Sequence, residues 1–126
     1  MTMNIRFRSL VFGILASSTI STTALRAADW PQWRGPDRTD LSSEKGLLKS
    51  WPEGGPKRVW LYKNAGDGYS GPAIVSGKLF TMGTRNDQEI LLALNATDGS
   101  ELWMAPIGAV RRDSKGHGSR GTPSVE

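Results

Sequence analysis

A chain of 126 residues with 37% hydrophobic residues, 15 glycines and no cysteine has room for one modest domain, and it excludes disulfide frameworks, cysteine-ligated zinc and thiol catalysis. The formal charge of +4 rests largely on Arg6, Arg8 and Arg26 near the N-terminus, and without them the remainder is close to neutral. The remaining local excess of basic residues, Arg111, Arg112, Lys115 and Arg120, surrounds Asp113 with no interleaved aromatics, which argues against a nucleic-acid surface.

Residues 1–27 have the three parts of a secretory signal peptide. Arg6 and Arg8 give a positive start with no acid before Asp29. Residues 10–16 form an apolar core with a weaker extension to Ile20, far short of the roughly 20 residues that span a bilayer, so no transmembrane helix is expected after cleavage. Thr22 and Ala24 suit a cut after Ala24; Ala27 offers a second site, although Leu25 fits its −3 position less well. The expected location is exported, either periplasmic or secreted.

Residues 28–56 form an extended lead-in. The stretch DWPQWRGPDRTD (29–40) is rich in Trp, Pro and turn formers. Residues 43–50 could hold one or two helical turns, capped by Ser42 or Ser43 and stopped at Trp51-Pro52. From residue 57 the pattern changes to short β-runs at 57–63, 73–75, 78–84, 89–95 and 101–105. Between the later runs lie Ser76-Gly77, Asn86-Asp87 and Asp98-Gly99, which suit the positive-φ turns joining antiparallel strands.

The same region repeats itself. Gly66, Gly68 and Gly71 recur as Gly116, Gly118 and Gly121, 50 residues on. Each cluster leads into a small apolar run, Ala73-Ile74-Val75 and then Ser124-Val125. PKRVW, ending at Trp60, resembles GSELW, ending at Trp103, with an insertion near residues 108–113 absorbing the difference in spacing. A period of about 40–50 with four short strands per unit is the mark of β-propeller blades. Both glycine clusters also match G-x-G-x-x-G, but a phosphate site requires a helix to start there, and here a Pro and a β-run come next instead. The glycines are better read as tight connections between blades.

The run ALNATDGSELW (93–103) resembles the tryptophan-docking motif of quinoprotein (PQQ-like) propellers, A-L-D-A-x-T-G-x-x-x-W. GPAIV (71–75) and GKLF (77–80) look like that family's first two strands, and DWPQWRGP looks like the lead-in of its exported bacterial members. The resemblance implies an all-β fold: the N-terminal fragment of a β-propeller, about one complete four-stranded blade plus flanking strands, with residues 57–126 as a partial repeat region. It implies a structural motif at Ala93, Asn95, Gly99 and Trp103. There Ala93 lets a tryptophan approach, Gly99 permits the turn and Trp103 packs between blades, while Trp60 belongs to the outer strand of the preceding blade. Asn95 and Asp98 depart from the usual Asp and Thr, yet both can bond to nearby backbone and keep the turn.

No catalytic constellation stands out. His117 is the sole histidine and lies between glycines without a partner for metal binding or base catalysis; Ser70 and Ser119 lack a triad, and Asp67 lies in a turn. Asp98-Gly99 is no calcium loop, because Leu94 and Ala96 fall where earlier oxygen ligands belong. The sequon at Asn95-Ala96-Thr97 lies within a strand-to-turn motif and carries no weight. The expectation is a binding or scaffolding module with no catalytic, cofactor or metal residues of its own, acting on an unknown protein or small-molecule ligand through a complete propeller. The alternative is the N-terminal part of a PQQ-dependent alcohol dehydrogenase-like quinoprotein, with PQQ and calcium held by residues elsewhere in a full-length enzyme. A kelch or WD-type interaction propeller is disfavoured by the 93–103 run.

Overall fold

Residues 78–95 place two strand-forming runs on either side of Asn86-Asp87, and this pattern dictates a long hairpin. The computed structural model describes residues 27–126; the signal peptide expected over 1–27 therefore lies, but for its last residue, outside the described residues. Four strands form one antiparallel sheet in the order β1 (Ala73–Val75), β2 (Lys78–Arg85), β3 (Gln88–Asn95) and β4 (Glu101–Ala109). A two-stranded hairpin, β5 (Arg112–Asp113) with β6 (Gly116–His117), comes after it. No helix occurs among the described residues. The fold is all-β, and the single meandering sheet has the form of one propeller blade.

The turns arise from their residues. Ser76 and Gly77 have φ of 50° and 75°, and Asn86 and Asp87 have φ of 51° and 58°. Two consecutive positive-φ residues make the two-residue hairpin whose twist matches that of the flanking strands. β4 runs to Ala109, beyond the residue 105 expected from sequence, because its register shifts twice against β3, between Glu89 and Ile90 and between Ala93 and Leu94. The first of these shifts falls beside Pro106, which cannot donate to a regular ladder.

Three expectations are corrected. Residues 43–50 hold no helical turn and are exposed. Gly46 interrupts them with φ of 72°, and Leu47 and Leu48 are left in solvent, so a helix this short has nothing to stabilise it. Residues 57–63 belong to no strand; Trp60, Leu61 and Tyr62 lie beside Leu79, Thr81 and Leu94 of the sheet instead. The lead-in is not simply extended, since residues 32–40 turn back on themselves through Gly35 N–H to the Gln32 carbonyl, Arg38 N–H to the Gly35 carbonyl and Asp40 N–H to the Arg34 carbonyl.

The register separates two faces. Leu79, Thr81 and Gly83 share one face with Leu94, Leu92 and Ile90, while Phe80 and Met82 share the other with Ala93, Leu91, Trp103 and Ala105. Residues 57–65 cover the first face. The segment 111–121 is tied back to the sheet by the Ser119 hydroxyl, which donates to Glu89 Oε2 at 2.5 Å. The fully enclosed apolar core is small: Ala73, Ile90, Leu92, Ala93 and Leu94. A sheet this thin needs material on both sides.

Candidate functional site: a tryptophan dock on a glycine turn

The β3–β4 turn is held by its own side chains. Asn95 Oδ1 accepts from the Thr97 N–H at 2.9 Å. Asp98 Oδ1 accepts from the Ser100 N–H at 2.9 Å and from its hydroxyl at 2.7 Å. The two hydrogen bonds from Ser100, side chain first, hold the Asp98 carboxyl below its ordinary pKa. Across the turn, Gly99 N–H donates to the Asn95 carbonyl at 2.8 Å and Ala96 N–H to the Gly77 carbonyl at 2.9 Å. Asn95 and Asp98, the two departures from the family pattern, thus both bond to nearby backbone.

This fixed turn receives an indole. Trp60 Nε1 donates to the Ala96 carbonyl at 3.0 Å. Its ring lies against Gly99, where a Cβ would sit 2.6 Å from Trp60 Cε3, and Gly99 also has φ of 73°. Both space and backbone therefore demand glycine. Trp60 is half-buried, and it lines a groove of about 310 Å³ with Leu61, Tyr62, Ala65, Pro72, Leu79, Thr81 and Leu94.

A second anchor holds the same segment farther along. The Tyr62 hydroxyl donates to Glu101 Oε2. Arg85 reaches Tyr62 Oη at 2.8 Å, the Asn64 carbonyl at 3.0 Å and Glu101 Oε2 at 3.1 Å. Burial, followed by the bond to Glu101, raises the Tyr62 pKa; Arg85 and then Tyr62 lower that of Glu101. Nothing in the sequence flagged this cluster, because 39 residues separate Tyr62 from Glu101 and their spacing matches no repeat.

Trp103 lies on the opposite face. Its register partner on β3 is Ala93, whose partner on β2 is Phe80. The Phe80 and Trp103 rings stand 6.0 Å apart, tilted by 51°, with fully buried Ala93 between them in the row. Trp103 remains 44% exposed, and Leu102, Met104 and Ile107 of the same strand are also exposed.

The other candidates scatter. His117 is exposed and lines a polar cleft of about 150 Å³ with Asp67, Thr84, Arg85, Asn86, Asp87, Val110 and Arg112. The Ser119 hydroxyl donates to Glu89, and the Ser70 hydroxyl accepts from the Met82 N–H at 3.1 Å. Among the described residues no three His, Asp or Glu side chains gather as metal ligands, and no helix is long and apolar enough to cross a membrane.

Comparison with known proteins gives a partial likeness. Over 71 residues the chain is 34% identical to the 1-butanol dehydrogenase (cytochrome c) of Thauera butanivorans. That match takes in 56% of the chain and about 10% of the length of that relative. No family model matches, and no solved structure matches.

Proposed function

We propose that this chain is the opening part of an exported PQQ-like (quinoprotein-type) β-propeller, in which it acts as a binding or scaffolding module and contributes no catalytic group. One observation carries the reading: Trp60 occupies a dock on one face of the sheet, while Trp103, 43 residues later, is presented half-exposed on the other. A repeat that receives a tryptophan on one side and offers one on the other is a unit for serial stacking, and a ring closes such a series without leaving an open end.

The partial likeness to a dehydrogenase favours a second reading, the N-terminal part of a PQQ-dependent alcohol dehydrogenase-like quinoprotein. The described residues do not fit a quinone–calcium site. Several of their acids are engaged by neighbours: Glu101 with Arg85, Asp113 with Arg111 and Arg120, Glu89 with Ser119 and the Arg111 N–H. Among the described residues no three carboxylate or histidine side chains gather beside Trp60 or Trp103 to hold a cation. Any cofactor would be held by other parts of a longer protein, and no reaction step is assigned to this chain.

Titrating a full-length protein that carries this chain with PQQ and calcium, followed by tryptophan fluorescence and dye-linked alcohol oxidation, separates the two readings. The expected outcome is no saturable quenching and no turnover above the free cofactor. Calcium-dependent quenching at micromolar PQQ would move the assignment to the enzyme.

A further inference from the structure

The lead-in makes contacts that neither the docking motif nor the sheet requires. β1 is a three-residue edge strand, and Trp30 pairs with it: Trp30 N–H donates to the Ile74 carbonyl at 2.7 Å and Ile74 N–H returns to the Trp30 carbonyl at 2.8 Å. One residue later Pro31 has no N–H to add to a ladder. Its carbonyl instead accepts from the Val125 N–H at 2.9 Å. Ile74 and Val125 each stand two residues after the proline that follows a glycine cluster, Pro72 in one case and Pro123, with Thr122 inserted before it, in the other. A single dipeptide therefore holds both of the runs that follow the two glycine clusters. Asp29 Oδ1 extends the grip by accepting from the Ser76 N–H at 2.9 Å.

Residues 32–40 are built to keep this dipeptide in place. The Trp30 ring packs on buried Gly35, where a Cβ would come within 2.8 Å of Trp30 Cη2 at φ of 80°. Gln32 binds the Pro36 carbonyl at 3.0 Å and accepts twice from Arg38 at 3.1 Å, and Arg34 pairs with Asp40 at 2.6 Å. Arg34, Arg38 and Asp40 all hold positive φ, a strain that isolated surface chain would relax. The segment is a self-bonded knot that positions Trp30 and Pro31.

We infer that residues 28–44 are a strap: they fasten the first strands of two consecutive repeats to each other and close the free edge of β1 to foreign strands. The meaning of Val125 as the next repeat's first strand rests on the propeller reading; the strap's own contacts do not. An uncovered first-strand edge would otherwise expose unpaired backbone groups, the usual route to unwanted strand addition.

Amide exchange on the full chain tests the strap, with Leu92 and Ala93 of β3 as internal references. Ile74, Ser76 and Val125 are expected to be protected together in the native chain. Gly35→Val should speed their exchange jointly by about tenfold or more while Leu92 and Ala93 hold. Should Gly35→Val also release β3, Gln32→Ala, which removes only knot bonds, is judged by the same criterion. An unprotected Val125 in the native chain overturns the inference, as does a Val125 that holds when Ile74 is released. The propeller reading fails by a different measure, the environment of Trp103, so the two failures are distinguishable.

Discussion

Trp60 and Trp103 are the same residue type in the same repeat context, yet the structure gives them opposite states, and substitution should show it. Trp60 has a carbonyl for its N–H and a glycine under its ring, so Trp60→Ala is expected to cost about 2 kcal/mol, less than the loss of a fully buried large aromatic. Gly99→Ala should destabilise by about 1–3 kcal/mol, since it adds both a clash with Trp60 and a strained backbone. Trp103→Ala in the isolated chain should cost less than about 1 kcal/mol, because that ring is nearly half in solvent; within a complete ring the same change should cost about 3–5 kcal/mol. Urea unfolding midpoints for the three variants check the order. Equal losses from Trp60→Ala and Trp103→Ala in the isolated chain would mean that the two faces are not used as described.

At the scale of elements, the 111–121 segment is tied to β3 through Glu89, which accepts from the Ser119 hydroxyl and, at 2.9 Å, from the Arg111 N–H. Those bonds, Ser119 first, hold the Glu89 pKa below the ordinary glutamate value. A depressed carboxylate contributes stability that is present above its unfolded pKa and is lost as pH falls through the folded one. The hairpin should therefore loosen only on acidification below about pH 4. Asp113, whose pKa is lowered chiefly by Arg120 and then by the Lys115 N–H and Arg111, adds a further loss in the same direction. Exchange at Arg111 and Gly118, whose N–H groups bond Glu89 and the Arg111 carbonyl, followed from about pH 6 to about pH 3, should accelerate beyond the intrinsic trend in the native chain, and Glu89→Gln should remove the part due to Glu89. The hairpins themselves were legible in the sequence, because Ser76-Gly77 and Asn86-Asp87 encode their turns locally. The true length of β4 was not, since the shifts that carry it past Pro106 arise from its pairing with β3.

For the whole molecule, Ala73, Ile90, Leu92, Ala93 and Leu94 are a small enclosed core, and β4 displays Leu102, Trp103, Met104 and Ile107 to solvent. At about 25 cal/mol per Å² of apolar surface buried, one sheet gains little against the entropy of ordering it. The isolated chain should accordingly self-associate, with Trp103→Lys shifting sedimentation toward monomer. A sharp concentration-independent melt of a monomer would contradict this. Each copy's Gly99 dock is already filled by its own Trp60, so Trp103 of another copy finds no vacant dock. Association should therefore be weak and without fixed stoichiometry.

The sequence by itself determined the all-β class, the hairpin positions and the turn at residues 95–99, because strand patterning and positive-φ residues act over a few neighbours. It also marked Trp60 and Trp103 as repeat partners through their matching contexts. Only the tertiary structure decided that Trp60 fills the Gly99 dock, that Arg85 gathers Tyr62 and Glu101, and that the lead-in folds back to hold Ile74 and Val125. Each of those joins distant parts of the chain through side-chain reach or a single carbonyl. Such contacts leave no period in the chain; they depend on which surface the sheet has already presented.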